Sequence, residues 1–174
     1  MTDRQKYDLV EKFSTFELRS YEPCVLAQIE MTTDYNSAGS GAFRYLFNYI
    51  SKGNETSRAI SMTAPVIAAT KSTLDSDRWT ISFVMPAGST LADLPAPKDS
   101  KVVLREIDRQ ECVALSFRGR ATLNLCTQKE QELRSQAKDQ GYELSQERRI
   151  ARFDPPFKPG FMNYNEIVIP LLTK

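Results

Sequence analysis

The sequence predicts an α+β fold, a distorted antiparallel β-barrel built from two pseudo-repeated βαββ units with two flanking helices. Runs of alternating apolar and polar residues, typical of half-buried strands, occur in both halves of the chain. Each half also contains one helix pattern, and the two patterns recur at a spacing of about 85–90 residues. Two antiparallel half-sheets of this kind would close toward a barrel with both helices outside.

The first strands are predicted on either side of a proline break. Residues 1–12 are polar and are expected to form a lead-in without regular structure. In 13–19, Phe16 and Leu18 alternate with Glu17 and Arg19, which predicts a strand with Arg19 on its solvated side. A second strand is expected over 24–31, followed by a loop that begins at Asp34 and resembles a helix cap.

The first helix has a wide apolar surface and ends at the Gly53-Asn54 break. Its buried stripe is expected to be Ala42, Leu46, Tyr49 and Ile50. Phe43 and Phe47 extend this stripe to one side, while Ser40, Arg44 and Asn48 lie on the opposite face. The surplus aromatic edge has two interpretations: packing against a second neighbour, or one wall of a shallow apolar ligand site.

The remaining elements complete both halves, roughly 13–86 and 101–172, within one domain over 1–174. Strands are expected over 60–66 and 79–85, and three prolines mark 86–100 as the connector. The second half predicts strands over 101–107, 111–117, 143–153 and 164–171. Thr127 and Glu130 form a capping-box start for the second helix, which ends at Gly141. Its acids, including Glu130, are expected to be solvated.

Composition restricts the classes of function. The net charge is +1, from 23 basic and 22 acidic side chains, which argues against nucleic acid as a partner. Three cysteines without C-x-x-C spacing fit reduced thiols in the cytoplasm. The N-terminus lacks the apolar core of a signal peptide, and no window approaches a membrane span. Because the chain contains no histidine, Ser-His-Asp and Cys-His catalysis are excluded.

Three motifs span almost the whole chain. They are Tyr49-Ile50-x-x-Gly53-Asn54 with Ile60-x-Met62-Thr63-x-Pro65-Val66, then Arg152-Phe153-Asp154-Pro155-Pro156-Phe157 with Asn165-Glu166-Ile167, and Phe16-Glu17-Leu18-Arg19-x-Tyr21-Glu22. All three resemble motifs of the SOUL/haem-binding-protein family and occur in the family's order. The resemblance implies a pseudo-two-fold barrel and a haem or porphyrin ligand.

The resemblance also implies where that ligand lies, in a cleft between the first helix and the proline-rich loop near the C-terminus. Phe43 and Phe47 match large apolar positions of the family's haem surface, and Lys158 matches a lysine available to a propionate. Arg44 is a substitute cation, because Ser40 and Asn48 stand where a haem-binding member has basic residues. The loop adds Phe157, Phe161 and Met162, and Met62 is either core or pocket floor.

The iron ligand is the main departure from the family pattern. Some members have been proposed to bind iron through histidine, so here an axial ligand would be Met, Cys or Tyr, or absent. Cys24 is expected to be a small buried residue. Glu166, which lacks a catalytic partner in the sequence, is expected to form an ion pair or a cap.

The function predicted on this basis is non-catalytic carriage or buffering of a tetrapyrrole. Two alternatives stay open. Paired βαββ units also build the effector-binding domains of some bacterial regulators, which would make this chain a general small-molecule binder. An enzyme that modifies haem or releases its iron is the other, although the chain lacks histidine and a paired acid–base set.

Overall fold

The fold is described from a computed structural model that covers residues 2–155 and 158–172. Most of its strands form one antiparallel sheet, which curls into a half-barrel. The elements are β1 (Asp3–Arg4), β2 (Tyr7–Lys12), β3 (Glu17–Tyr21), β4 (Cys24–Met31), α1 (Tyr35–Ile50), β5 (Thr63–Ala64), β6 (Val66–Thr70), β7 (Trp79–Val84), β8 (Val103–Ile107), β9 (Gln110–Arg118), α2 (Leu123–Asp139), β10 (Arg148–Arg152), a 3₁₀ helix (Gly160–Met162) and β11 (Tyr164–Pro170). The main sheet has nine strands in the order β2-β3-β9-β11-β10-β6-β7-β4-β8, and β1 pairs with β5.

The strand order confirms the two predicted βαββ units. One unit is β4-α1-β6-β7 and the other is β9-α2-β10-β11, and they meet where β6 pairs with β10. The strand that precedes each unit pairs with the other unit, so β3 lies beside β9 and β8 lies beside β4. This exchange makes the sheet order pseudo-symmetric about its centre, with β2 added at one edge.

Both helices pack on the same face of the sheet. The register aligns Ala68 of β6 with Ile81 of β7 and Ile150 of β10, and Ile150 in turn lies opposite Ile167 of β11. These side chains form the core with the buried faces of α1 and α2. The other face of the sheet, on which neither α1 nor α2 packs, is called the open face below. Neither described helix is long and apolar enough to cross a bilayer.

Helix α1 confirms the predicted stripe and begins earlier than predicted. Ala42, Leu46, Tyr49 and Ile50 are buried, as expected. The cap expected in the segment that begins at Asp34 is confirmed, because the Asp34 carboxylate accepts a hydrogen bond from the Ser37 amide at 2.8 Å, whereas 35–37 are helical rather than loop. The helix therefore gains a first turn in which Tyr35 and Ala38 are also buried.

Helix α2 begins at Leu123, so the predicted capping box at Thr127 and Glu130 is wrong. The N-cap is Thr122, whose hydroxyl accepts from the Leu125 amide. Thr127 lies inside the helix and its hydroxyl donates to the Leu123 carbonyl at 2.7 Å. Glu130 is buried rather than solvated, because its carboxylate pairs with Arg134 and with Arg148 of β10.

Several strand boundaries also differ from the prediction, and β3 begins only at Glu17 rather than at 13. The lead-in contains β1 and β2, two edge strands that are exposed on both sides and therefore lack alternation. Pro65, which has no amide hydrogen, separates β5 from β6, so the strand predicted over 60–66 starts only at Thr63. Residues 143–147 are not a strand, and in this segment only Leu144 forms a bridge, to Leu171.

Candidate functional site

An exposed aromatic pair lies on α1. The rings of Phe43 and Phe47 stack at 5.7 Å between centroids with an interplanar angle of 13°. Phe43 is 38% and Phe47 is 49% exposed, while the edge of Phe43 also contacts the buried Phe83. The core thus fixes Phe43, which in turn positions Phe47, and together they present an apolar aromatic surface to solvent.

Tyr45, on the same helix, is flanked by two cationic side chains, Arg44 of α1 and Lys101 of the segment before β8. The Arg44 guanidinium carbon lies 5.1 Å, and the Lys101 ammonium nitrogen 4.9 Å, from the centre of the Tyr45 ring. Hydrogen bonds from Lys101 and Arg44 lower the pKa of Tyr45. The backbone position of Arg44 is offset from Phe47 by about 60° around the helix axis, whereas its guanidinium is turned toward Tyr45.

The C-terminal loop contributes a cation and two exposed apolar side chains. Lys158 pairs with Asp154 at 2.8 Å, and this hydrogen bond is the main cause of the lowered pKa of Asp154. Phe161 and Met162 lie on the 3₁₀ helix and are 78% and 46% exposed. Phe157, which the prediction also placed in this site, lies outside the described residues.

The predicted site residues fall into separate groups. Phe43, Phe47 and Arg44 are on α1, whereas Lys158, Phe161 and Met162 are on the loop. No ring contact joins these groups within residues 2–155 and 158–172. Met62 is partly buried against the core. That α1 and the loop form the two walls of one cleft therefore stays a prediction.

The side chains present suit the ring and carboxylates of a tetrapyrrole better than they suit coordination of its iron. Stacked aromatic rings can cover a flat macrocycle, and Arg44 and Lys158 can pair with its carboxylates. Burial raises the pKa of Cys112 to about 11 and that of Cys126 to about 12, so neither is a ready thiolate ligand. Among the described residues, no three His, Cys, Asp or Glu side chains cluster as a metal site.

A groove of about 670 Å³ lies on the open face. Its floor includes Gln28, Ser82 and Ile67, which are aligned across β4, β7 and β6. Arg149 is also in the lining and is held by Glu147 at 2.5 Å and Gln110 at 2.8 Å. Cys24 is half-buried in this groove rather than in the core, because Val25 takes the core side of β4.

A buried ion pair adjoins the groove. Arg19 and Glu166 form two hydrogen bonds of 2.9 and 2.8 Å, although the side chains are 147 residues apart in sequence. The Tyr164 hydroxyl donates to Glu166 at 2.7 Å, and burial with this bond raises the pKa of Tyr164 to about 12. The expectation that Glu166 forms an ion pair is confirmed, whereas the expectation that Arg19 is solvated is wrong.

Sequence analysis missed the open face as a candidate site. Its side chains are the polar members of alternating strands, which were interpreted as facing solvent. The one available signal was the aromatic and charged content of those positions, namely Tyr7, Arg19, Tyr21, Tyr164 and Glu166. Such residues at alternate positions on separate strands can share one face of a sheet.

Comparison with protein families gives one match over nearly the whole chain. The family model described as SOUL heme-binding protein matches residues 2–170. No curated protein matches the sequence.

Solved structures support the fold at low sequence identity. The C-terminal domain of EcmrR superposes with a TM-score of 0.71 at 13% identity, over 97% of this chain and 99% of that one. A hydrolase from Listeria innocua gives 0.62 at 13% identity, over 94% of each chain. SAV2435, in a structure bound to tetraphenylphosphonium, gives 0.53 at 14% identity, over 90% of this chain and 93% of that one. At these identities the similarity establishes the fold alone.

Proposed function

Because the chain belongs to the SOUL heme-binding protein family, we propose that it binds a tetrapyrrole, haem or iron-free porphyrin, and carries or buffers it without catalysis. The observation that carries this proposal is the exposed stacked pair Phe43 and Phe47. Contiguous apolar surface on a domain marks a binding surface, and a stacked pair of nearly parallel rings can extend its stack onto a flat aromatic ligand.

The ligand would be held by apolar contact and a few cations. Phe43 and Phe47 cover part of one face of the macrocycle, and Arg44 leaves its present position against the Tyr45 ring to pair with a propionate. Lys158 binds a second propionate by exchanging its present partner, Asp154. Phe161 and Met162 approach from the loop, and Met62 supports the apolar floor.

Weak iron ligation is consistent with carriage. Bound haem would supply a redox-active iron whose properties depend on its axial ligands. The exposed Met162 thioether is the soft donor on the predicted surface, and the chain has no histidine. We also propose a cytoplasmic location, which the free thiols of Cys24, Cys112 and Cys126 support.

The site is tested by Phe47→Ala, with Leu91→Ala as the control because Leu91 is an exposed apolar residue elsewhere, at 42%. If a macrocycle covers about 50 Å² of the Phe47 ring, the loss is about 1.3 kcal/mol, or roughly tenfold in affinity. Haem titrations followed by the Soret band should show this loss in Phe47→Ala only. Equal affinities of both variants and wild type would remove the proposed surface.

The same titration separates carriage from catalysis. A carrier keeps the haem spectrum unchanged for hours after binding. A protein that modifies haem or releases its iron would instead give a decaying spectrum with free iron in solution, and that result would replace the non-catalytic proposal.

A second candidate function, binding of another small molecule, is favoured by the groove on the open face. Its volume of about 670 Å³ lies within the range of small-molecule sites, about 300–1,000 Å³. The structural neighbour SAV2435 has been solved with tetraphenylphosphonium, although the similarity extends only to the fold.

This candidate is tested by calorimetric titration with tetraphenylphosphonium. Gln28→Trp places a large side chain on the groove floor, and Gln128→Trp places the same side chain on the exposed surface of α2. Binding that is lost only in Gln28→Trp supports the groove. Binding that both variants retain would locate the ligand elsewhere.

A further inference from the structure

A small aromatic pocket continues from the groove along the open face. Its volume is about 80 Å³, and four of its lining residues carry aromatic rings. Tyr7 and Tyr21 approach at 5.4 Å between centroids, and Phe153 and Tyr164 meet edge to face at 5.1 Å. Glu166 lies beneath these rings in the lining of the same pocket.

One guanidinium in this pocket is fully engaged by polar partners. Arg19 binds both carboxylate oxygens of Glu166, donates to the Tyr21 hydroxyl at 2.9 Å, and pairs with Glu17 at 2.8 Å. The guanidinium carbon of Arg19 also lies 4.1 Å from the centre of the Tyr7 ring. Arg19 is 3% exposed and is therefore part of the framework of the pocket.

A second guanidinium, that of Arg4, is held differently. Its carbon lies 4.8 Å from the centre of the Phe153 ring and 5.3 Å from that of Tyr164. Within the described part of the chain, the contacts of the Arg4 side chain are these ring faces, with no hydrogen bond or ion pair to a carboxylate. The Arg4 guanidinium is thus held by aromatic faces, and the Tyr164 ring is also approached by the Arg118 guanidinium, whose carbon lies 5.4 Å from the ring centre.

The segment that carries Arg4 is weakly attached. Strand β1 has two residues, both exposed, which pair with Thr63 and Ala64 of β5. The next backbone hydrogen bond runs from the Gln5 amide to the Ala64 carbonyl at 2.8 Å. So short an edge pairing can open without disturbing the nine-stranded sheet.

We propose that the pocket of Phe153 and Tyr164 is a binding site for a small guanidinium-bearing molecule, with Arg4 as its intramolecular stand-in. A planar guanidinium stacks on aromatic faces, and a free ligand would use the position that Arg4 occupies. The hydrogen bond from Tyr164 to Glu166 fixes the ring that receives it. A tethered group has an effective concentration in the millimolar range, so Arg4 should compete strongly with a free ligand.

This inference rests on the second candidate function, since it names a ligand class for the open face. It is independent of the aromatic pair Phe43 and Phe47, which lies on α1. If tetraphenylphosphonium binding depends on Gln28 but the following experiment fails, the groove proposal survives and the guanidinium pocket does not.

The experiment measures binding of N-butylguanidinium by calorimetry, with neutral N-butylurea as the ligand control. Arg4→Ala removes the competing group and should bind N-butylguanidinium at least tenfold more tightly than wild type. Arg58→Ala, which removes an exposed arginine elsewhere, should bind like wild type. Adding Phe153→Leu to Arg4→Ala should reverse the gain, and N-butylurea should not bind. An unchanged affinity in Arg4→Ala, or a gain that survives Phe153→Leu, would overturn the proposal.

A second measurement uses the wild-type chain. Saturating N-butylguanidinium should displace β1 and speed hydrogen exchange of the Gln5 amide, which otherwise donates to Ala64. Ligand binding with unchanged exchange at Gln5 would place the ligand outside the pocket and refute the role of Arg4.

Discussion

The buried pair of Arg19 and Glu166 makes a strong prediction about stability. Glu166→Gln removes the negative charge that balances the Arg19 guanidinium. Glu166 is only 4% exposed and Arg19 only 3%. It also changes the acceptor of the Tyr164 hydroxyl. The cationic guanidinium would remain buried in the sheet with half of its carboxylate contacts weakened.

The contacts around Arg19 set the expected loss in the free energy of unfolding of Glu166→Gln. Removing one partner of a buried ion pair costs about 3–5 kcal/mol. The low end applies here, because Glu17 still pairs with Arg19 at 2.8 Å and the new amide oxygen still accepts one hydrogen bond. A loss of about 3 kcal/mol corresponds to a decrease of roughly 6–12 °C in melting temperature for a chain of this size.

Urea denaturation of wild type and variant gives the free energy of unfolding directly. Glu132→Gln is the control, since Glu132 pairs with Lys129 at 3.5 Å on the surface and should cost less than about 1 kcal/mol. The double variant Arg19→Met/Glu166→Leu should recover much of the loss, because it removes both fully buried charges, and Glu17, which loses its partner, is 25% exposed. If Glu166→Gln costs no more than the control, the reasoning is refuted.

Two further predictions concern pH and the loop. Because burial raises the pKa of Cys126 from 9.0 to about 12, the folded state holds this proton longer than the unfolded state. Its contribution to stability is complete below pH 9.0 and is lost as the pH rises toward 12. In urea titrations between these values, Cys126→Ala should reduce the pH slope by about 1.4 kcal/mol per pH unit, and an unchanged slope would contradict this. Lys158→Ala should weaken haem binding severalfold through loss of a propionate partner, whereas the exposed Lys138→Ala should not. Equal affinities in these lysine variants would remove Lys158 from the site.

The architecture could be predicted because its signals are local. The stripe of α1 and the alternation in β4 reflect burial against a single core, and both are found where periodicity placed them. The start of α2 was predicted less accurately. Thr122 and Thr127 are both plausible caps by residue type, and the choice depends on the chain that precedes the helix.

The open face could not be predicted because its contacts are long-range. Arg19 and Glu166 each belong to the polar side of an alternating strand, and only the pairing of β3, β9 and β11 brings them together. The exposure of Phe43 and Phe47 was predicted, because the apolar arc of α1 is wider than the sheet alone can cover. The remaining part of such an arc is either exposed to solvent or covered by a ligand or a second neighbour.

The most direct test of tetrapyrrole binding is a parallel titration of the purified protein with haem and iron-free protoporphyrin. The Soret band and the fluorescence of Trp79, the single tryptophan, report binding. We predict saturable one-to-one binding of both ligands with similar affinity, because the macrocycle rather than the iron is recognised. Tight binding of haem alone would mean that an axial ligand dominates. Binding of neither would contradict the proposed function and leave the groove on the open face as the remaining candidate site.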